Sequence, residues 1–504
     1  MQTADTHYQK ISQLSRQVGI LESISSLLGW DQETYMPKGA AAHRAAQREL
    51  LQGLIHQKRT SPSFAKALSR LIHLETSAYT VNNLSERQKA ALKEWRHTYL
   101  QEKALPKRFV EKFAKLTSHA TEAWKQAKEE NNFSKFAPFL EKIVVMNRKK
   151  ADLLKYKEHP YDALLGLYEP GMTTQDINTL FGKLSEALIP LLRHIKQTTP
   201  LEDAFLHRDF PHDKQMEFCY ILLKALNYDP HIGRLDFSAH PFCGSSHPTD
   251  NRITTHLPPI SLMGNIGAVL HEVGHSLYEM GLPLEEFGTP LGEAVSLAVH
   301  ESQSRWWETR IGLSKPFWTH FFPKLQALFP TQLKEISLDT FYRAINKVEP
   351  SFIRIKADEV TYSMHVMLRF YLERDLIEGK LKVKEIPEAW NQHMQSLLGI
   401  TPPTDREGCL QDIHWAFGGF GYFPTYTLGN LYAAHLFEAF AKENPTWEAR
   451  VAKGELLFIR SWLQEKVHKH GKQYRSRELL LHATGTPFSA DAYVNYLKGK
   501  FAVK

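Results

Sequence analysis

A mainly α-helical fold is what this sequence predicts, and three observations carry that prediction. Apolar residues recur at threes and fours through most of the chain. The breaks between those runs are short and rich in proline and glycine. Only residues 235–257 alternate in the manner of β-strands. The chain has 504 residues and 42% hydrophobic content, more than one ordinary domain and ample for a large core.

The helical runs, in order, are Ile11–Leu28, Ala40–Ile55, Ala90–Tyr99, Phe109–Ala127, Ile177–Ile195, Phe317–Phe329, Ile353–Ile377 and Tyr426–Ala441. Met36-Pro37-Lys38-Gly39, Glu169-Pro170-Gly171 and Thr401-Pro402-Pro403 interrupt them. Thr173, with Asp176 three residues on, has the form of a helix-start box. Leu235–Ser238 and Arg252–Leu257 read as two short strands, with Pro241, Gly244, Pro248 and Asp250 in the connection. Such an element can be a hairpin capping the next helix, and it can also offer an edge strand to an extended peptide. There is no internal repeat and no clear linker. Residues 1–504 therefore read as one unit with two lobes around a groove.

Composition narrows the class. The net charge of +7 is mild and spread along the chain. Its densest run, Arg148-Lys149-Lys150 with Lys155 and Lys157, suits a solvated helix face better than a nucleic-acid groove. The three cysteines, Cys219, Cys243 and Cys409, are far apart and form no CxxC pair, which fits a reducing compartment. Met1 to Lys10 is polar with no apolar signal region. No apolar run approaches the roughly 20 residues that span a bilayer. A cytoplasmic protein without nucleic-acid or membrane partners is the expectation.

The string His271-Glu272-Val273-Gly274-His275 carries the chemistry. It lies in an apolar stretch, Ile266 to Leu270 before it and Leu277-Tyr278 after it. On a helix, residues four apart share a face, so both imidazoles can reach one metal ion. Glu272 sits beside them without being a ligand, placed to take a proton from a water there. The alternative is a pair of structural histidines in a chain that holds 25 of them. The apolar setting argues against it, because a buried imidazole needs a partner.

A catalytic zinc takes three protein ligands and keeps one position open. A third histidine at the extended-motif spacing is absent, since Tyr278 and Gly281 occupy the relevant places. A carboxylate on a later helix is then required. Leu291–Trp307 reads as that helix, with Glu293, Ser296, His300 and Ser304 in one stripe and Glu301 at its edge. Spacing leaves both Glu293 and Glu301 open. The Ile353–Ile377 helix carries a second polar stripe, Arg354, Asp358, Tyr362, His365 and Arg369. An intrahelical Arg354–Asp358 ion pair explains it from pattern alone, and an arginine gripping a substrate carboxylate is the functional alternative. Gly408 to Asn430 alternates glycines and aromatics through a loop that enters a helix. It can carry His414, Tyr422 or Tyr426 to a reacting carbonyl.

With these segments assembled, the chain resembles the carboxypeptidase Taq family of metallocarboxypeptidases over nearly its whole length. The resemblance runs through Trp30 to Ala40, Tyr161 to Leu165, Tyr168 to Met172, His240-Pro241-Phe242 and Asp250 to Thr254. It continues through HEVGH, His300 to Ser304, Ile353 to Asp358 and Gln411 to Trp415. Only HExxH is telling alone; the ordered set is specific, and no motif position departs from the pattern.

The resemblance implies a large helical clamshell with a deep groove and a small β element next to the HExxH helix, of the neurolysin-like zincin type. It implies a homodimer and one divalent metal per chain, zinc with cobalt as the alternative. Its third ligand is the glutamate of the His-Glu-Ser segment, Glu301. Arg354 is implied to hold the substrate C-terminus. Asp250, Arg252 and Thr254 close one end of the groove, and His240 and Phe242 line the substrate site. The implied activity is stepwise release of C-terminal residues from peptides with broad specificity. Glu272 serves as general base, and Tyr422 or Tyr426, with His414 nearby, stabilises the oxyanion. An oligopeptide endopeptidase of the same design is the nearer alternative, and a non-catalytic helical scaffold the more distant one.

Overall fold

The computed structural model describes residues 4–197, 201–256 and 261–502. Helices dominate it. Those that frame the site are α1 (Ala4–Glu33), α2 (Ala41–Arg59), α3 (Glu86–Ala104), α4 (Leu262–Gly281), α5 (Leu297–Arg305), α6 (Tyr362–Glu378) and α7 (Pro424–Glu443). The predicted box at Thr173 is formed, with the hydroxyl and backbone exchanging hydrogen bonds with Asp176 at the start of Thr174–Ile195.

Two hydrophobic clusters occur among the described residues. The larger runs from Ala120 to Leu497 and includes Ile266, Val269, Leu270, Val273 and Leu277 of α4. The smaller joins Ile11, Leu68, Leu92, Trp95 and Tyr99 with Leu291. Helix α1 crosses the Gly288 turn at close range. A Cβ on Gly19 would lie 2.6 Å from the Gly288 Cα, and Gly288 itself has φ +76°, a conformation glycine adopts without penalty. Ser15 ties the crossing by donating to the Gly288 carbonyl (2.6 Å) and accepting from the Trp95 indole (2.9 Å).

The strands β1 (Gly233–Ser238) and β2 (Asn251–His256) pair in parallel, Gly233 opposite Asn251 through Ser238 opposite His256. This corrects the hairpin expectation. Residues 239–250 return the chain to the start of β2, and on the way Phe242–Gly244 lies antiparallel along its other edge. The Gly244 N–H donates to Arg252 (2.7 Å) and the Thr254 N–H to Phe242 (3.0 Å). At Arg252–Thr254 both edges of β2 are therefore occupied. Leu257, the predicted end of this strand, lies outside the described residues.

Two predicted helices are shorter than their periodicity suggested. The Ile353–Ile377 run begins as a helix only at Tyr362; Arg354–Lys356 is a single 3₁₀ turn. Asp358 makes the difference. Its carboxylate accepts from the backbone of Glu349, Val360 and Thr361 and from the Thr361 hydroxyl, local bonds that compete with a helix. The Arg354–Asp358 ion pair is consequently not formed. The Leu291–Trp307 run is helical only over α5, where Ser296 caps the Val299 N–H (3.1 Å), and then widens into a π-turn, Trp306–Ile311.

Helix α5 lies between α4 and α7 at backbone contact. A Cβ on Gly274 of α4 would sit 2.6 Å from both the Gln303 carbonyl oxygen and the Ser304 Cα; one on Gly429 of α7 would sit 2.5 Å from Glu301 Cγ. Gly274→Ala is expected to cost about 1–3 kcal/mol in chemical unfolding of the metal-free protein, because the obstructing atoms are backbone. Gly53→Ala in α2, with nothing within 4 Å of its Cβ position, should be neutral or stabilising by up to about 1 kcal/mol.

Candidate metal centre

Ser261 caps α4 by accepting from the Gly264 N–H (3.0 Å), and the apolar face of the helix is buried in the main core. His271 and His275 leave that face one turn apart, their ring centroids 4.8 Å from each other. Helix α5 brings Glu301 between them. Its Oε2 is 3.7 Å from Nε2 of His271 and 3.5 Å from Nε2 of His275. Ligand atoms of the three residues all lie within 4.8 Å of one another, the sole such group found among the described residues. Glu293 is elsewhere, paired with Lys472.

These residues fit a metal. Nδ1 of His271 is 2.7 Å from Glu308 Oε2, and Nδ1 of His275 is 3.1 Å from the carbonyl of His300. Each acceptor takes the Nδ1 hydrogen and leaves the Nε2 lone pair facing inward. A tetrahedral ion at zinc bond lengths separates its donor atoms by roughly 3.3 Å, close to the two distances to Glu301. The charges agree as well. Burial opposes a charged His271, but Glu301 and then Glu308 outweigh it and push the imidazole up to about 9. Burial, then His300 and His271, drive His275 the opposite way, so the carboxylates favour positive charge on the His271 side of the cluster.

Glu308 reaches His271 because the π-turn adds a residue to the helical circuit at that point. Burial would raise its carboxyl, but Arg305 and then His271 hold it at about 2. Arg305 donates to Glu308 (2.7 Å) and to Asn430 of α7 (2.8 Å). Glu272, next to His271 in the chain, is 7% exposed. Burial pushes its carboxyl up to about 7, His271 opposing and Glu301 and Glu308 adding to the rise.

Beside the metal centre lies a buried cationic group. Nε and Nη2 of Arg354 both donate to Asp412 Oδ1 (3.1 and 2.8 Å), and Nε of Arg369 donates to Oδ2 (2.7 Å). Two guanidiniums share one carboxylate, leaving one positive charge over. Nη1 of Arg354 is 3.2 Å from the Tyr362 hydroxyl, and Arg305 lies over the Tyr362 ring at 5.2 Å. Tyr426 packs under Arg354 (4.9 Å), with its hydroxyl 3.2 Å from Nε2 of His414. Tyr422 adjoins both, its ring 5.2 Å from His414 and 5.5 Å from Tyr426. Arg354, His414, Tyr422 and Tyr426 are thus brought together, joined to the metal centre through Tyr362, Arg305 and Glu308.

The β element supplies a separate group. Asp250 and Arg252 pair at 2.8 Å, and Arg252 lies 4.5 Å over the Trp30 ring. Thr254 is fully buried, accepting from the Ser238 hydroxyl (2.6 Å) and the Phe242 N–H (3.0 Å). It shapes the Phe242 turn and has no surface to offer a ligand. His240 is exposed and Phe242 partly so. Sequence reasoning missed Glu308, Arg305 and Asp412. Glu308 carried one faint signal, its spacing of two helical turns from Glu301; Asp412 carried none outside the resemblance.

Comparison with known proteins places the chain. The family description carboxypeptidase Taq (M32) metallopeptidase matches residues 10–501. Thermostable carboxypeptidase 1 of Thermus thermophilus is 40% identical, with 99% of each chain covered. Carboxypeptidase 1 of Bacillus subtilis is 37% identical, covering 99% of this chain and 98% of that one. The crystal structure of an M32 carboxypeptidase from Deinococcus radiodurans superposes with a TM-score of 0.94 at 35% identity, covering 99% of each chain.

Removing the shared carboxylate should be costly. Burial alone would raise the Asp412 carboxyl, but Arg354 and Arg369 outweigh it and hold it far below the usual range. Asp412→Asn is expected to lose about 3–5 kcal/mol in urea unfolding at neutral pH, because two buried guanidiniums lose their counter-charge. A depressed carboxyl stabilises the fold above its unfolded pKa of about 3.9 and loses that contribution as pH falls below it. The gap between wild type and Asp412→Asn should therefore be constant from pH 8 to about 5 and narrow only below about pH 4.

Proposed function

Because the chain belongs to the carboxypeptidase Taq (M32) metallopeptidase family, we propose that it removes C-terminal residues from peptides with broad specificity, Glu272 acting as general base. The observation that carries this reading is the convergence of His271, His275 and Glu301 beside a buried guanidinium pair that holds one charge in excess. His271, His275 and Glu301 hold one divalent metal. The two-histidine, one-glutamate set favours zinc, with cobalt as the alternative. When bound, that ion supplies Lewis-acid polarisation and a water acidified toward neutrality.

The remaining steps belong to the protein. Glu272, adjacent in the chain to a ligand and shielded from solvent, takes the proton of the attacking water and delivers it to the leaving nitrogen. Burial raises the phenols of Tyr422 and Tyr426, so both remain donors at neutral pH and can bond the oxyanion. His414 stays neutral, its burial and the nearby arginines outweighing Asp412, and it orients Tyr426. Arg354, pre-set by Asp412, receives the substrate carboxylate as a fork. The Asp250–Arg252 pair, with Thr254 buttressing Phe242 and with His240 at the rim, closes the groove. A clamp for a free terminus favours exopeptidase over endopeptidase action. Apolar lining such as Phe242 favours broad specificity.

The chain acts as one catalytic unit in this reading. We further propose a homodimer in the cytoplasm, on the family resemblance and the cysteine usage. No helix among the described residues is long and apolar enough to cross a membrane.

Two measurements test the chemistry. Glu272→Gln should keep stoichiometric metal and lose roughly 10²–10⁴-fold in kcat; full activity would remove Glu272 as the base. On paired peptides with free and amidated C-termini, mass spectrometry should find a chelator-sensitive ladder only from the free acid. Equal cleavage of both would replace the exopeptidase reading with an endopeptidase.

A further inference from the structure

A second imidazole stands behind the metal ligand His275. His300 precedes Glu301 on α5, and its Nδ1 lies 2.6 Å from Nδ1 of His275. Its Nε2 lies 2.8 Å from Oε1 of Glu279, one turn beyond His275 on α4. Helix α4 thus supplies both ends of a His275–His300–Glu279 row, and α5 supplies its middle. The two imidazoles have centroids 4.6 Å apart, and the Tyr278 ring flanks His300 at 5.4 Å.

Donor and acceptor counting fixes the hydrogens. The Glu279 carboxylate only accepts, so Nε2 of His300 carries the hydrogen between them. With one hydrogen on each ring, His300 presents a lone pair at Nδ1 and the hydrogen in the 2.6 Å contact belongs to His275. That tautomer leaves Nε2 of His275 bare on the side of His271 and Glu301. The opposite tautomer would set lone pair against lone pair and put a hydrogen in the ligand sphere. The His300 carbonyl, 3.1 Å from the same Nδ1, shares the hydrogen. A backbone oxygen lacks the link to a carboxylate that makes a ligating imidazole a stronger donor.

We propose that His300, aligned by Glu279, is a positioning residue that fixes the ring plane and tautomer of His275 and thereby sets metal affinity. This rests on the reading of His271, His275 and Glu301 as the ligands.

The test titrates Zn²⁺ and Co²⁺ against a competing chelator into full-length wild type, His300→Ala and Glu279→Gln. Wild type should take one ion per chain. His300→Ala should bind both ions about tenfold or more weakly, and Glu279→Gln should shift in the same direction by a smaller factor. The visible absorption of the Co²⁺-loaded His300→Ala protein should differ from wild type, while metal-free melting remains a cooperative transition. Glu279 is partly exposed, so Glu279→Gln alone decides the matter if the alanine variant does not fold. Wild-type affinity in both variants, with an unaltered cobalt spectrum, would overturn the positioning role and leave the ligand assignment standing. A wild type that takes up neither ion would overturn the ligand assignment, and this inference with it.

Discussion

Everything at the site depends on how closely α5 approaches its two neighbours. Gly274 removes the Cβ that would strike the α5 backbone on one side, and Gly429 removes the one that would strike Glu301 on the other. Glu301 is therefore delivered to the two imidazoles by helix packing, with no long loop whose ordering would have to be offset. The glycine inside HEVGH belongs to the metal centre as much as the histidines do, though it touches no ligand atom.

Such packing buries charge, and the interior is organised around compensating it. Glu308 answers His271, Arg305 answers Glu308, and Asn430 accepts from Nε of Arg305. Tyr362 stands between Arg305 and Arg354, and Asp412 binds Arg354 to Arg369. Groups of this kind are costly to bury and costlier to strand unpaired. A one-residue loss therefore propagates, and the His271–His275–Glu301 cluster and the Arg354–Arg369–Asp412 group share one polar scaffold. The excess positive charge where Arg354 and Arg369 share Asp412 is the place where this compensation is left open, and the proposed binding of a substrate carboxylate would use it.

The β element shows the same division between shaping and contact. Thr254 is spent on holding the Phe242 turn, and the Asp250–Arg252 pair on packing over Trp30 of α1. The Arg252–Trp30 contact links the β element to α1. The parallel pairing also puts Phe242–Gly244 on the outside of β2, so it is this short segment and not β2 that offers an outer edge.

Some of this was written in the chain. HEVGH on a helix must place its histidines on one face, because the 3.6-residue period admits no other outcome, and the helical class follows from the same period. Distant choices were not written there. Glu293 and Glu301 are equivalent as spacings, and only the fold sends one to Lys472 and the other to the imidazoles. Arg354 and Asp358 looked like a helical ion pair until Asp358 spent its carboxylate on its own backbone and Asp412, far along the chain, took the arginine. Local periodicity determined which side chains share a helix face. Which faces meet, and hence which charges must answer one another, was decided by the packing of helices far apart in sequence.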